Sequence, residues 1–89
     1  MTKAFFDKMI EDGLNRSKAF LVVKIETEGN PAPEIIINPA ANIPAKRDYY
    51  DKAYNDGLEL ISGKKAGKSV RIVDALMTNN LADLNWFAY

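Results

Sequence analysis

Two hydrophobic patterns follow one another in the first part of the chain. From Thr2 to about Ser17 the apolar residues recur at three- and four-residue spacing, which predicts an amphipathic helix with Thr2 as its cap. Gly13 lies inside this stretch, where it would cost about 1 kcal/mol relative to alanine. From Ala19 to Thr27 apolar and charged residues alternate as in a half-buried strand. A helix followed by a strand is therefore predicted.

Turn-forming residues and a second strand come next. Residues 28–33 hold one glycine, one asparagine and two prolines, and residues 34–38 are rich in isoleucine, so the two strands are predicted to form a hairpin. Placing Val23 opposite Ile37 on the inner face leaves a set of apolar side chains on the outer face. These side chains are Phe20, Val22 and Ile36. Because they are apolar, a second layer or another subunit is expected to cover them.

The most regular periodicity in the chain follows a loop at residues 39–44. Six positions form one helical stripe: Tyr50, Ala53, Tyr54, Gly57, Leu58 and Ile61. The stripe predicts a helix that begins near Pro44 and has Asn42 as its cap. Gly63 follows the last position of the stripe, and glycine commonly ends a helix in a left-handed conformation. The predicted helix therefore ends at Gly63.

The last part of the chain predicts one or two further strands. Residues 69–77 alternate as a third strand, residues 81–84 predict a short helical turn, and residues 85–89 predict a final strand. The element order is then α-β-β-α-β-(β), in a single domain over residues 1–89. We predict an α+β fold, a two-layer sandwich with two helices on one face of a mostly antiparallel sheet of three or four strands.

Composition excludes several classes of function. The chain contains no histidine and no cysteine, so it lacks the usual catalytic base, thiol nucleophiles, disulfides and thiolate metal ligands. Twelve basic and twelve acidic residues cancel, which removes any global attraction to nucleic acid or to an anionic membrane. The first eight residues mix acid and base, unlike a secretory signal, and no apolar run is long enough for a membrane helix. We therefore expect a cytoplasmic protein without cofactor, metal, membrane or nucleic-acid partner.

One basic segment contrasts with this neutral composition. The sequence at residues 63–69 comes close to the phosphate loop of nucleotide triphosphatases, but three residues instead of four separate its glycines, and it leads from a helix into a strand. Its cations have no acid among them, so a small anion such as a nucleotide is a candidate ligand. The candidate ligand-binding residues are Lys64, Lys65, Lys68 and Arg71, with Tyr49 or Trp86 as an aromatic platform. The alternative is a helix C-terminus whose lysines meet the negative end of the helix dipole.

Candidate catalytic groups have less in their favour. Glu26 and Glu34 are expected to lie opposite one another near the hairpin turn, where both carboxylates would extend into water. Ser69 and Lys68 are adjacent in a strand and therefore point to opposite faces. Asp74 lies among apolar residues, and a buried carboxylate would need a partner there. We predict no catalytic residue and no metal site.

The aromatic residues near position 89 are a further signal, because they would lie on both faces of the last strand. They either complete the core or form an interface. The candidate interface residues are Phe20, Val22, Ile36, Trp86, Phe87 and Tyr89. So many apolar side chains outside one core favour a homodimer or a larger homo-oligomer.

These surfaces favour three functional hypotheses. The first is a non-enzymatic interaction protein of the adaptor or inhibitor type that binds a protein partner, as small accessory proteins of bacteria and phages do. The second is a ligand-binding protein that sequesters a small anionic molecule at residues 63–71. The third is an enzyme, for which the sequence offers no catalytic constellation.

Overall fold

The helices and strands were assigned in a computed structural model, which describes residues 1–61 and 68–87. Within these residues the helices are α1 (Lys3–Asn15), α2 (Ile43–Ala53) and α3 (Leu84–Phe87), and the strands are β1 (Phe20–Thr27), β2 (Glu34–Pro39) and β3 (Val70–Thr78). Short 3-10 turns, Ala40–Asn42 and Leu81–Asp83, precede α2 and α3. The strands form an antiparallel sheet in the order β2-β1-β3. Because α1 and α2 pack on one face of this sheet, the predicted two-layer α+β fold is confirmed.

Helix α1 begins and packs as its sequence pattern predicts. The Thr2 hydroxyl oxygen accepts a hydrogen bond from the Phe5 N–H at 3.2 Å, so Thr2 is the N-cap. Phe6 and Ile10 are fully buried against the sheet. Gly13 also lies inside the helix and is buried, because the Met77 side chain of β3 lies directly against it.

The register of the hairpin differs by one residue from the prediction. Val23 pairs with Ile36 and not with Ile37, so Ile36 lies on the core face and Ile37 on the outer face. In this register the buried Asn38 also faces the core, where its side-chain N–H donates to the Leu21 carbonyl at 3.3 Å. Because residues 35–37 are all isoleucine, the sequence of β2 fits either register. The hydrogen bond of Asn38 compensates for the burial of its polar side chain.

Helix α2 ends at Ala53, ten residues before the predicted Gly63, so this part of the prediction is wrong. The Asn55 side-chain oxygen accepts hydrogen bonds from the N–H groups of Gly57, at 3.0 Å, and Glu59, at 2.9 Å, which closes a turn. Leu58 within this turn has a φ of 62° and is fully buried. Four positions of the predicted stripe, Tyr50, Ala53, Tyr54 and Leu58, are buried, the last of them through the Asn55 turn. Gly57 and Ile61 are exposed, so the stripe is wrong at these two positions.

The outer face of the sheet is covered in part by α3. Val22 is fully buried there and Phe87 of α3 is 4% exposed. The Lys24 ammonium group extends over α3, where it donates to the Phe87 carbonyl at 3.2 Å and lies 5.9 Å from the centroid of the Phe87 ring. The predicted helical turn at 81–84 is present, but residues 85–87 are helical, so the predicted last strand is wrong over these residues. Residues 88 and 89 lie outside the described residues.

The main core lies between the sheet and the two longer helices. The Phe6 ring of α1 meets the Tyr50 ring of α2 edge to face, with the ring centroids 5.5 Å apart. Leu21, Val23 and Ile72 complete the core from the sheet. No helix within residues 1–61 and 68–87 is long and apolar enough to cross a membrane.

Candidate functional site

The predicted anion site is not assembled in the part of the chain that the structure describes. Arg71 is exposed on the outer face, where its ladder partners are Glu26 of β1 and the bridged Glu59. Tyr49 belongs to α2 and lies on the opposite side of the sheet, 48% exposed. Lys68 borders a shallow depression together with Glu28 and Glu34. Lys64 and Lys65 lie outside the described residues.

The candidate catalytic carboxylates are also separated. Glu26 lies on the outer face opposite Arg71, whereas Glu34 pairs with Ile25 and lies on the core side, so the two carboxylates do not face one another. Asp74 is exposed and not buried. Among residues 1–61 and 68–87 no group of three acidic side chains could hold a metal ion, and no buried side-chain polar atom lacks a hydrogen-bond partner.

The six candidate interface residues have different surroundings. Val22 and Phe87 are buried within the chain, and Ile36 packs against the main core, so these three side chains are not available to a partner. Phe20 is partly exposed and Trp86 is 61% exposed. Tyr89 lies outside the described residues. The second layer expected from the apolar outer face is therefore supplied by α3 at Val22, whereas Ile37 on the same face is 42% exposed.

A groove that the sequence did not reveal runs between α1 and the end of β3. It has a volume of about 410 Å³. Its apolar lining consists of Phe5, Met9, Gly13 and Met77, and its polar lining consists of Lys8, Asp12, Arg16 and Lys18. Phe5, with 61% of its surface exposed, is among the most exposed large apolar side chains of the described residues. This groove, named here the α1–β3 groove, is the candidate functional site.

The α1–β3 groove results from a second apolar stripe on α1. Phe5, Met9 and Gly13 recur at four-residue spacing, next to the buried stripe of Phe6 and Ile10. One stripe is enough to bury a helix on a sheet, so the other stripe faces the groove. The doubled stripe is the signal that sequence reasoning could have used.

Beside the groove, β3 forms an edge of the sheet of which only the first part is covered. The Leu60 N–H donates to the Val70 carbonyl at 2.8 Å, and the Ile72 N–H donates to the Leu58 carbonyl at 2.9 Å. The ladder with β1 then skips Val73, which is a β-bulge. Beyond this bulge, no segment within the described ranges pairs with the outer edge of β3.

The backbone groups on this edge follow from the alternation of an antiparallel ladder. The Ala75 N–H points away from β1, because it donates to the Asp74 side-chain oxygen at 2.8 Å. Two residues further on, the backbone N–H and carbonyl groups of Met77 also point away from β1. The edge therefore offers the carbonyl oxygens of Ala75 and Met77 and the N–H of Met77.

The other edge of the sheet, along β2, is protected in a way that the β3 edge is not. Pro33 precedes β2 and Pro39 ends it, and neither can donate a backbone hydrogen bond. The open part of β3 contains no proline and no lysine, and its protection is limited to the bulge at Val73 and the Asp74 carboxylate, which occupies the Ala75 N–H. The two edges of the sheet therefore differ, and the β3 edge leaves the Met77 N–H without a blocking residue.

The rim of the α1–β3 groove is positively charged. Lys8, Arg16 and Lys18 line it together with a single acid, Asp12. The ion pairs of the structure join Lys3 to Asp51, Arg47 to Asp7 and Glu11, and Lys52 to Asp48. As far as the described residues show, no carboxylate lies within 4.0 Å of the three rim cations. Their charge is available to an acidic ligand.

Two tyrosines on the far side of the core have perturbed ionisation. Burial raises the pKa of Tyr50, with a smaller opposing effect from a hydrogen bond to Asn38 and a smaller reinforcing effect from Tyr49. Burial, and then the negative charges of Tyr49, Tyr50 and Glu34, raise the pKa of Tyr54 to about 12.

Alkaline pH is therefore expected to destabilise the fold through Tyr54. The unfolded chain loses the Tyr54 proton near its ordinary pKa of 10.0 and the folded chain only near about 12, so this contribution to stability is present below pH 10 and is lost as the pH rises toward 12. The loss is up to about 1.4 kcal/mol per pH unit. Urea denaturation across this range should show a shallower pH dependence for Tyr54→Phe than for the unaltered protein. Equal slopes would contradict the assignment.

Comparison with protein-family models, with curated proteins and with solved structures finds no match for this chain. Its function is therefore inferred from the surfaces described above. Of these, the α1–β3 groove combines exposed apolar side chains, unpaired backbone groups and a charged rim at one place.

Proposed function

We propose that the protein is a non-enzymatic interaction protein that binds an extended segment of a protein partner along β3 and in the α1–β3 groove. The observation that carries the proposal is an open strand edge directly beside an exposed apolar groove. Addition of a strand to an open edge is a recurring mode of peptide recognition, in which backbone hydrogen bonds supply affinity and side-chain pockets supply specificity.

The added segment would make both backbone hydrogen bonds to β3 and side-chain contacts in the groove. Its backbone would hydrogen-bond to the outward groups of Ala75 and Met77. Every second side chain would then point toward the helix side of the sheet and enter the α1–β3 groove, where Phe5 is exposed. Full burial of a side chain the size of phenylalanine contributes about 1.5–3 kcal/mol, so Phe5 is expected to be the main apolar contact.

The charge of the rim favours an acidic partner segment. Lys8, Arg16 and Lys18 would attract carboxylates that flank the apolar residues of the segment. A second copy of this chain fits less well, because it would bring two positive rims together. The favoured occupant is therefore an extended segment with alternating apolar and acidic residues.

The proposal is tested by selecting peptides from a random display library on the immobilised protein and measuring their affinities by calorimetry. We expect peptides in which apolar and acidic residues alternate. Arg16→Glu should weaken their binding by about tenfold, because it replaces an attractive charge at the rim by a repulsive one. Lys52→Glu is the matched control, since Lys52 is an exposed cation of α2 outside the groove, and it should leave the affinity unchanged.

A second arm distinguishes strand addition from the docking of a helix. Methylating the backbone nitrogens of a selected peptide at alternate positions should abolish binding in one of the two frames and leave it intact in the other, because only one frame faces β3. The proposal would be overturned if a peptide bound equally well when methylated in either frame. It would also be overturned if a peptide bound the Arg16→Glu and Lys52→Glu variants with the same affinity. Light scattering that shows a stable homodimer at this edge would overturn it too.

The sequestration of an anion by residues 63–71 has less support. Lys68 and Arg71, which the structure describes, both have acidic neighbours, Lys68 at a depression shared with Glu28 and Glu34 and Arg71 opposite Glu26. These carboxylates would repel a phosphate. We therefore do not propose a phosphate site there.

A further inference from the structure

A second cavity lies on the helix side of the sheet, away from the α1–β3 groove. It is bounded by α2, by the turn end of the β1–β2 hairpin and by the bridged segment that contains Leu60. Its volume is about 250 Å³, and it shares no lining residue with the α1–β3 groove. We name it the tyrosine cleft.

Most side chains that line the tyrosine cleft are aliphatic or aromatic. Its aliphatic lining consists of Ile25, Ile36, Leu60 and Val70, and its aromatic lining consists of Tyr49, Tyr50 and Tyr54. The three rings contact one another edge to face, with centroids 5.4 to 6.3 Å apart. Tyr50 and Tyr54 are each 3% exposed, so they form a fixed wall, whereas Tyr49 is 48% exposed and stands at the opening. The cleft can hold a small apolar group against these rings.

The opening of the tyrosine cleft carries one charge of each sign. The Lys46 ammonium group lies 5.7 Å from the centroid of the Tyr49 ring. The Glu34 carboxylate lies close enough to Tyr54 for its charge to raise the pKa of that hydroxyl. Both side chains line the cleft, and no ion pair within 4.0 Å joins them or links either of them to another described residue. Each charge is therefore available to a ligand.

We propose that the tyrosine cleft binds a small amphoteric molecule with an apolar body, of the class of free amino acids with an aromatic or branched aliphatic side chain. Lys46 would bind the carboxylate, Glu34 would bind the ammonium group, and the apolar body would lie against the tyrosine rings. The site is independent of strand addition at β3, so either proposal can fail alone.

Size and charge together exclude the neighbouring classes of ligand. A cleft of about 250 Å³ is smaller than the roughly 300–1,000 Å³ of sites for drug-sized molecules, which disfavours a nucleotide. A purely anionic ligand would meet the Glu34 carboxylate, and a purely cationic one would meet the Lys46 ammonium group. Only a molecule that carries both charges makes two favourable contacts.

The experiment uses three probes that differ only in their charges: phenylalanine, phenylpropionate, which lacks the ammonium group, and phenethylamine, which lacks the carboxylate. Their affinities are measured by NMR titration. Phenylalanine should bind at least about tenfold more tightly than either analogue, the usual effect of one hydrogen bond to a charged group. The resonances that shift should belong to the tyrosine cleft.

Two variants test the assigned contacts. Lys46→Gln should weaken the binding of phenylalanine and phenylpropionate and leave that of phenethylamine unchanged. Glu34→Gln should weaken the binding of phenylalanine and phenethylamine and leave that of phenylpropionate unchanged. Lys52→Gln, on the same helix but outside the cleft, should bind all three probes like the unaltered protein. Equal affinities for the three probes, a pattern that neither variant changes, or no binding of phenylalanine at millimolar concentration would overturn the proposal.

Discussion

Phe87→Ala is expected to lower the free energy of unfolding by about 3–5 kcal/mol, as deletion of a buried phenylalanine side chain typically does. Phe87 is 4% exposed and belongs to the short helix that covers the outer face of the sheet. Val22, which is fully buried on that face, loses its cover in this variant. Urea denaturation of the variant and of the unaltered protein measures the difference.

The neighbouring Trp86 provides the matched control. Its indole is 61% exposed and meets the Phe87 ring edge to face from outside, with the ring centroids 6.1 Å apart. Trp86→Ala should change the free energy of unfolding by less than about 0.5 kcal/mol. A loss of under about 1 kcal/mol for Phe87→Ala, far below the usual range for a buried phenylalanine, would show that α3 is not packed on the sheet.

Gly13→Ala should destabilise the protein by about 1–3 kcal/mol, although glycine to alanine inside a helix normally stabilises. A Cβ atom at position 13 would lie 2.6 Å from both Cβ and Cγ of Met77, closer than side-chain atoms approach one another. The Met77 Cβ is fixed to the backbone of β3, so the sheet and α1 would have to separate. Denaturant unfolding of the variant measures the cost.

A double-mutant cycle identifies Met77 as the cause. In a Met77→Gly background the Cβ, Cγ and Cε atoms that a new Cβ at position 13 would meet are all absent, so adding Gly13→Ala should cost less by at least about 1 kcal/mol. Gly57→Ala is the matched control, because the nearest atom to a new Cβ there is the Asn55 side-chain oxygen at an ordinary 3.5 Å. If Gly13→Ala stabilised the protein, α1 and β3 would lie further apart than in this structure.

Local sequence patterns predicted most of the helices and strands. Contacts between residues further apart determined the hairpin register and the end of α2, which the patterns did not predict. The helical spacing of α1 and the alternation in β1 and β3 are patterns within single segments, so the sequence revealed them. The hairpin register brings the Asn38 side chain to the Leu21 carbonyl. This contact joins two strands, so the sequence pattern of β2 alone could not predict it. The end of α2 depended on the Asn55 turn, which interrupts a stripe that is otherwise helical.

The candidate sites depend even more on contacts between segments that are distant in the sequence. The basic segment contains no acidic residue, but the ladder with β1 places Glu26 opposite Arg71. The α1–β3 groove joins residues from opposite parts of the chain, since Phe5 and Met77 become neighbours only when β3 lies at the edge next to α1. Surfaces made by distant segments are therefore beyond what spacing along a chain can predict.

The position of β1 at the centre of the sheet has a consequence for biosynthesis. The ribosome completes α1, β1 and β2 well before Val70–Thr78, the strand that pairs with the other side of β1. During this interval the nascent chain has a hairpin, which is marginal by itself, and an unpaired edge along Phe20–Thr27. Until β3 is synthesised and pairs with it, the β1 edge of such a hairpin is open to pairing with another chain.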